Sequence, residues 1–147
     1  MWKLDENNEV SNEIAAFMDW QIIHEGSPMA DLARLLVNSA DGAIRRQVEE
    51  FIIEFYHDLL EKEMKEAGKP CPYTVEQLKK AYNYMYLSQV FAFITYTVMC
   101  KDNFKCDRPE LGEAKLDTMI LRCRHAMEDL DRILTGPLKH MMERFGQ

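Results

Sequence analysis

Apolar residues recur at helical spacing in three long segments, and this pattern constrains the fold more than any other feature. The segments run from Ile44 to about Ala67, from Thr74 to Cys100 and from Leu116 to Leu134. Each holds apolar side chains three or four positions apart, which gives a helix one apolar face. Helix-ending residues follow the first and third segments: Gly68, Pro70, Pro72, Gly136 and Pro137. The pattern predicts a mainly α fold.

The second of these segments has the clearest beginning. Thr74 is followed three positions later by Gln77, which is the spacing of a capping box. From Val90 onward the segment is apolar on nearly every side, which is typical of a helix at the centre of a bundle. In the first segment, by contrast, the glutamates are interpreted as a solvated face.

The stretch from Ile14 to Leu36 predicts a buried strand, a turn and a short helix. Ile14–Met18 is a continuous apolar run of strand length that ends at an acid, Asp19. Residues 26–28 (Gly-Ser-Pro) break the chain, and Ser27 is a candidate cap for a helix over Met29–Val37. Asp31 then lies near the positive end of that helix.

The first residues predict the partner of this strand. Met1–Leu4 reads as a strand, and Asp5–Asn8 has the composition of a tight turn. Together with Ile14–Met18 they predict one hairpin, the only β-structure that the sequence indicates.

Composition and charge narrow the class of protein. The chain has 147 residues, 47% of them hydrophobic, and a net charge of −7, so it is predicted to be one globular domain that does not bind nucleic acid. The longest apolar stretch, Val90–Cys100, falls short of the roughly 20 residues of a membrane span. The polar stretch Lys3–Glu13 argues against a signal peptide. The cysteines form no C-x-x-C pair, which argues against structural zinc and favours reduced thiols in a cytoplasmic protein: Cys71, Cys100, Cys106 and Cys123.

The run F-M-D-W-Q-I-I-H-E-G-S-P-M-A-D-L-A-R-L-L resembles the second metal-site segment of the CHK kinase-like family. That family includes ecdysteroid-kinase-like proteins and is related to choline kinases and aminoglycoside phosphotransferases. The pair Arg45–Arg46, followed by F-Y-H-D-L-L, is similar to the nematode members. The resemblance covers residues 1–134 and leaves 135–147 as a short helix or tail.

The resemblance implies a fold and an activity. The fold is the helical C-terminal lobe of a protein-kinase-like protein, with one N-terminal β-hairpin. In complete relatives the reaction transfers the γ-phosphoryl group of ATP to a hydroxyl of a small molecule. Asp19 matches the aspartate that holds Mg²⁺ against the phosphates, and Asp31 matches the acid that braces the catalytic loop. Trp20 and Gln21 match positions that shape the turn.

The sequence also departs from the family pattern. It contains no H-G-D-x-x-x-x-N catalytic segment, no Gly-rich loop and no nucleotide-binding lysine, so no catalytic residue is assigned. These 147 residues are therefore expected to form the C-terminal part of such a kinase, inactive and without bound Mg²⁺ or ATP. Trp2, Leu4 and part of Ile14–Met18 should then be exposed and favour self-association. The alternative from another class is a non-catalytic helical binding module.

Several residues have a plain structural interpretation beside the functional one. Asp19 could cap a turn after a strand, and Asp31 is interpreted as structural in either case. His24 is interpreted as a surface or capping residue rather than a general base, because no nucleophile lies at a defined spacing. One aromatic group is assigned mostly to the core, with one or two members lining a substrate cleft: Tyr82, Tyr84, Tyr86, Phe91, Phe93 and Tyr96.

Overall fold

The computed structural model describes residues 1–18, 25–100 and 109–146, which contain one two-stranded sheet and six helices. The strands are β1 (Trp2–Leu4) and β2 (Val10–Ile14). The helices are α1 (Ala30–Ser39), α2 (Gly42–Glu49), α3 (Ile52–Glu66), α4 (Val75–Cys100), α5 (Pro109–Thr135) and α6 (Lys139–Phe145). The predicted mainly α fold with an N-terminal hairpin is confirmed.

The turn of the hairpin forms through local polar contacts. The Asp5 carboxylate accepts hydrogen bonds from the amides of Asn7 at 2.8 Å and Glu9 at 2.9 Å. Asn8 adopts a left-handed backbone with φ of 61°, a conformation that asparagine tolerates better than most residues. The predicted turn chemistry of Asp5–Asn8 is confirmed.

The predicted second strand is wrong in position. The sequence predicts this strand at Ile14–Met18, but the observed β2 is Val10–Ile14. In the hairpin, Trp2 lies opposite Ile14 and Leu4 lies opposite Val10. The short turn fixes the pairing, so the residues that meet β1 come directly after the turn. Beyond Ile14 the backbone still bonds to Met1, whose carbonyl accepts from the Ala15 amide at 3.0 Å. The side chains of Phe17 and Met18 are about two-thirds exposed (69% and 65%) rather than buried.

Helix α4 is the centre of the helical core. It packs against α1, α3 and α5, as its apolar composition predicts. The predicted capping box is present: the Thr74 amide donates to Gln77 Oε1 at 2.9 Å, and the Gln77 amide donates to Thr74 Oγ1 at 3.3 Å. The buried face of α4 consists of Leu78, Tyr82, Tyr86, Gln89, Val90, Phe93 and Thr97.

The aromatic residues divide between core and surface. Half of the six aromatic residues that were predicted mostly for the core are buried: Tyr82, Tyr86 and Phe93. Tyr84 is half-buried, and Phe91 and Tyr96 are exposed. The second half of α4 is apolar on nearly every side but is not buried on every side. Among the described residues, the buried positions of this half recur at spacings of three or four and so share one side of the helix: Gln89, Val90, Phe93 and Thr97.

The predicted helix from Ile44 to Ala67 is two helices. Helix α2 ends at Glu49 and α3 begins at Ile52, because Phe51 leaves the helical region with φ of −134°. The interruption turns much of the apolar stripe outward: Phe51, Phe55 and Leu59 are about half exposed. The fully buried side chain of α2 is instead a charged one, Arg45.

The remaining helices overlap their predicted positions, although α5 begins at Pro109, well before the predicted Leu116. Helix α1 begins at Ala30, preceded by a turn in which Ser27 Oγ accepts from the Met29 amide at 3.3 Å. Helix α5 ends at Thr135, directly before Gly136. Within residues 1–18, 25–100 and 109–146, no helix has the length and apolar character that crossing a bilayer requires.

Candidate functional site

Of the residues that the sequence assigned to a metal-binding turn and its supporting helix, only some lie within the described part of the chain. Asp19, Trp20, Gln21 and His24 lie outside the described residues. Asp31 is described, and its side chain is exposed in the first turn of α1. A carboxylate there is stabilised by the helix dipole, a contribution of about 0.3–1 kcal/mol.

The described part of the chain contains no group of three histidine, cysteine or acidic side chains arranged to hold a metal ion. The carboxylate assigned to Mg²⁺, Asp19, is in the segment 19–24, which this statement does not cover. Mg²⁺ is normally held by one or two carboxylates together with phosphate oxygens and water. The role of Asp19 therefore stays a prediction from the resemblance.

The most densely bonded polar site in the described residues joins α2 to α5. The Arg45 guanidinium is fully buried, and its Nη2 forms an ion pair with Asp129 Oδ2. Arg46 Nε donates to the same carboxylate at 2.9 Å, and Arg132 Nη1 donates to Asp129 Oδ1 at 2.8 Å. One nearly buried carboxylate thus accepts from three guanidinium groups, which offsets the cost of removing its charge from water.

The guanidinium of Arg45 also contacts α4. It lies 5.3 Å above the centre of the Tyr86 ring, within the range of a cation–π contact. The Tyr86 hydroxyl donates to the carbonyl of Ala126 at 3.3 Å. Burial raises the pKa of the Tyr86 hydroxyl, so this group stays protonated and keeps donating. Arg45 therefore holds three helices together: α2, α4 and α5.

A second acid completes this polar cluster. The Tyr82 hydroxyl donates to Glu49 Oε1 at 2.6 Å, and Arg45 Nε lies 3.6 Å from the same oxygen. Burial raises the pKa of the Glu49 carboxyl, although the hydrogen bond from Tyr82 and the charge of Arg45 act in the opposite direction. Hydrogen bonding to Asp129 raises the pKa of Arg46.

The burial and the charge pairing of this cluster favour a structural role. Arg45 and Asp129 are enclosed by the helices that they join, and their charges are paired with each other. A substrate would need to open the α2–α5 contact to reach them. We therefore assign the Arg45–Asp129 cluster to the assembly of the helical core rather than to binding or catalysis.

Sequence reasoning missed this cluster. Arg45 and Arg46 were noted only for their resemblance, and Glu49 was assigned to a solvated face, which is wrong because its side chain is only 23% exposed. One signal was present in α5. Ala126, Asp129 and Ile133 are three and four positions apart, so Asp129 lies on the buried side of that helix. The partner, Arg45, is 84 residues away and could not be identified from spacing.

The family model and the relative that match this chain carry the same name. A family model described as "Uncharacterized oxidoreductase dhs-27" (DUF1679) matches residues 1–135. A Caenorhabditis elegans protein with that same name is 30% identical over 92 residues, which cover 61% of this chain and 11% of that protein. The chain thus spans about a tenth of the relative that it matches. No solved structure is similar at a significant level. Because the family model covers nearly the whole sequence, the chain belongs to the DUF1679 family.

Proposed function

We propose that this chain corresponds to the C-terminal lobe of a CHK kinase-like small-molecule phosphotransferase, and that it is inactive as a separate protein. The observation that carries the proposal is the order of elements around the D-W-Q segment. A hairpin ends shortly before Asp19, and a helix with Asp31 in its first turn begins shortly after it. This is the order that the resemblance implies for a metal-binding segment and its supporting acid.

The name of the C. elegans relative points to another chemistry, oxidoreduction. That name describes a protein of which the matched part is 11%, so it need not describe this segment. Nicotinamide-dependent enzymes commonly bind the cofactor on a parallel sheet through a G-x-G-x-x-G turn. The sequence lacks that turn, and in the described residues the strands form one antiparallel hairpin. These observations favour the phosphotransferase proposal.

The groups that position and polarise the phosphates supply most of the catalysis in phosphoryl transfer. Of these, the 147 residues contribute one, Asp19, which would hold Mg²⁺ through its carboxylate. The base and the second metal ligand belong to the H-G-D-x-x-x-x-N segment of complete relatives. We therefore expect no ATP-dependent phosphorylation by the 147-residue chain.

Three measurements test this proposal. Sequencing of the transcript upstream of the Met1 codon should show an in-frame segment that encodes H-G-D-x-x-x-x-N, and its absence would argue against the kinase assignment. If the segment is encoded, the extended protein should hydrolyse Mg²⁺–ATP, and Asp19→Ala should abolish this activity while Glu6→Ala, at an exposed acid in the hairpin turn, leaves it unchanged. Oxidation of NADH or NADPH by the 147-residue chain would favour the oxidoreductase assignment instead.

A second candidate function is a non-catalytic interaction module that associates with a second copy through its hairpin. One observation favours it: Trp2, Leu4 and Val10 have exposed side chains, and the strands of the hairpin pack mainly on each other. Apolar surface of this kind and an open strand edge both favour self-association. In sedimentation velocity, the dimer fraction should rise with concentration and fall in Trp2→Lys, but not in Lys65→Glu on α3. A monomer at all concentrations would exclude this candidate.

A further inference from the structure

The connection from α3 to α4 brings three metal-binding atom types together. Helix α3 ends in a Schellman motif, in which the Gly68 amide donates to the Lys65 carbonyl and the Lys69 amide to the Met64 carbonyl. Gly68 has φ of +68°, a conformation that glycine adopts without strain. The chain then folds back along α3, and Cys71 reaches His57.

The distances among the three atoms are short. Cys71 Sγ lies 3.8 Å from His57 Nε2 and 3.4 Å from the carbonyl oxygen of Tyr73. His57 Nε2 lies 3.1 Å from that same oxygen. A thiol, an imidazole nitrogen and a carbonyl oxygen therefore form a compact triangle on the surface of the protein.

This triangle has the dimensions of one face of a tetrahedral metal site. With bonds of about 2.3 Å to sulfur and about 2.05 Å to nitrogen, a tetrahedral Zn²⁺ ion separates the two ligand atoms by about 3.6 Å. The observed 3.8 Å between Cys71 Sγ and His57 Nε2 is close to that value. Thiolate and imidazole are also the ligands that Zn²⁺ prefers.

We propose that Cys71 Sγ, His57 Nε2 and the Tyr73 carbonyl oxygen form a binding site for a thiophilic cation of the Zn²⁺ class. Two of the three ligands are side chains, and the third is a backbone carbonyl. The site is therefore consistent with the finding that the described residues contain no group of three metal-binding side chains. On binding, the Cys71 thiol releases its proton to solvent and bonds as a thiolate. In the free protein His57 Nε2 donates to the Tyr73 carbonyl oxygen at 3.1 Å, so metal binding also requires the ring proton to move from Nε2 to Nδ1 by exchange with solvent.

The site is open to solvent on one side. Cys71 is partly exposed and lines a groove, so a cation can reach it. Two acids, Asp58 and Glu61, also line the groove. Because the described residues contain no group of three metal-binding side chains, we expect water to be the fourth ligand. Three lysines line the same groove and reduce the affinity for a cation: Lys62, Lys65 and Lys69. We therefore expect weaker binding than at a structural zinc site with four side-chain ligands.

Titration of the purified 147-residue chain with Zn²⁺ and with Co²⁺ tests the proposal. We expect one site per chain, and a sulfur-to-metal charge-transfer absorption on addition of Co²⁺. Cys71→Ser and His57→Gln should each lower the affinity by at least about tenfold. The matched controls Cys100→Ser and His140→Gln should bind as the original protein does.

Two results of the titrations would overturn the proposal. The first is saturating Co²⁺ without a charge-transfer band, and the second is equal Zn²⁺ affinity in Cys71→Ser and Cys100→Ser. X-ray absorption of the unmutated protein with one equivalent of Zn²⁺ is independent of how the variants fold. It should show one sulfur at about 2.3 Å and nitrogen or oxygen ligands at about 2.0–2.1 Å. A shell with no sulfur would contradict the assignment.

Discussion

At the scale of single residues, Asp129 is the group on which the contact of α2 with α5 depends most. Asp129→Ala would remove the carboxylate that is hydrogen-bonded to the buried Arg45 guanidinium and leave only the more distant Glu49, 3.6 Å from Arg45 Nε. Breaking a buried ion pair in this way costs about 3–5 kcal/mol. We therefore expect the free energy of unfolding in urea to fall by that amount. Asp131→Ala, an exposed acid two positions along α5, should change it by less than about 0.5 kcal/mol. Equal effects of the two substitutions would contradict the assignment.

Gly42 permits the close approach of α2 to α5. A β-carbon at this position would lie 2.5 Å from Cβ and Nδ1 of His125. Alanine ordinarily stabilises a helix relative to glycine. A loss of stability on Gly42→Ala would therefore indicate the close contact with His125. We expect Gly42→Ala to lower the melting temperature through overpacking, equivalent to about 1–3 kcal/mol. Adding His125→Ala should recover part of the loss, because it removes the ring but keeps the β-carbon. A rise in melting temperature on Gly42→Ala alone would exclude the close contact.

Glu49 should make stability depend on pH. Its pKa is raised in the folded protein by burial, so protonation favours folding. The resulting contribution is fully present below the ordinary glutamate pKa of 4.5 and is lost as pH rises through the raised value. Glu49→Gln imitates the protonated acid and can still accept from Tyr82. The stability of this variant relative to the original protein, measured by urea unfolding, should therefore increase as pH rises above that range. A difference that is constant with pH would show that the Glu49 carboxyl is not perturbed.

At the scale of secondary-structure elements, the capping box fixes the beginning of α4. Thr74→Ala removes the acceptor for the Gln77 amide, and such a loss typically costs about 1 kcal/mol. Thr74→Ser keeps the hydroxyl and should restore most of the stability in thermal unfolding. An exposed threonine inside α5 provides the control, and Thr118→Ala should have little effect. Similar stability of Thr74→Ala and Thr74→Ser would mean that the cap contributes nothing.

At the scale of the whole molecule, the hairpin and the helices should differ in stability. The strands pack mainly on each other, whereas one face of α4 is buried against α1, α3 and α5. An isolated two-stranded hairpin is marginally stable in water. We expect rapid hydrogen exchange in residues 1–18 and strong protection in α4 and the second half of α5, measured by mass spectrometry. Uniform protection in a dilute monomer would contradict this view and would indicate a self-sufficient unit.

The sequence by itself determined the features that depend on neighbouring residues. The Asp5–Asn8 turn, the Thr74–Gln77 capping box and the end of α5 at Gly136 were all identified, and the structure confirms them. Each arises from contacts within about four positions, so the residues that make the contact are visible as a pattern. The mainly α fold follows from the same local periodicity.

Only the tertiary structure decided which faces are covered and which distant groups meet. The stripe through Phe51, Phe55 and Leu59 has the spacing of a buried face, yet the break after α2 leaves it half exposed. Arg45 meets Asp129 across 84 positions of the sequence. Periodicity shows that a helix has an apolar side but does not show which partner covers it. Burial and charge pairing depend on how the helices are arranged in space, and that arrangement is set by the packing of the whole chain.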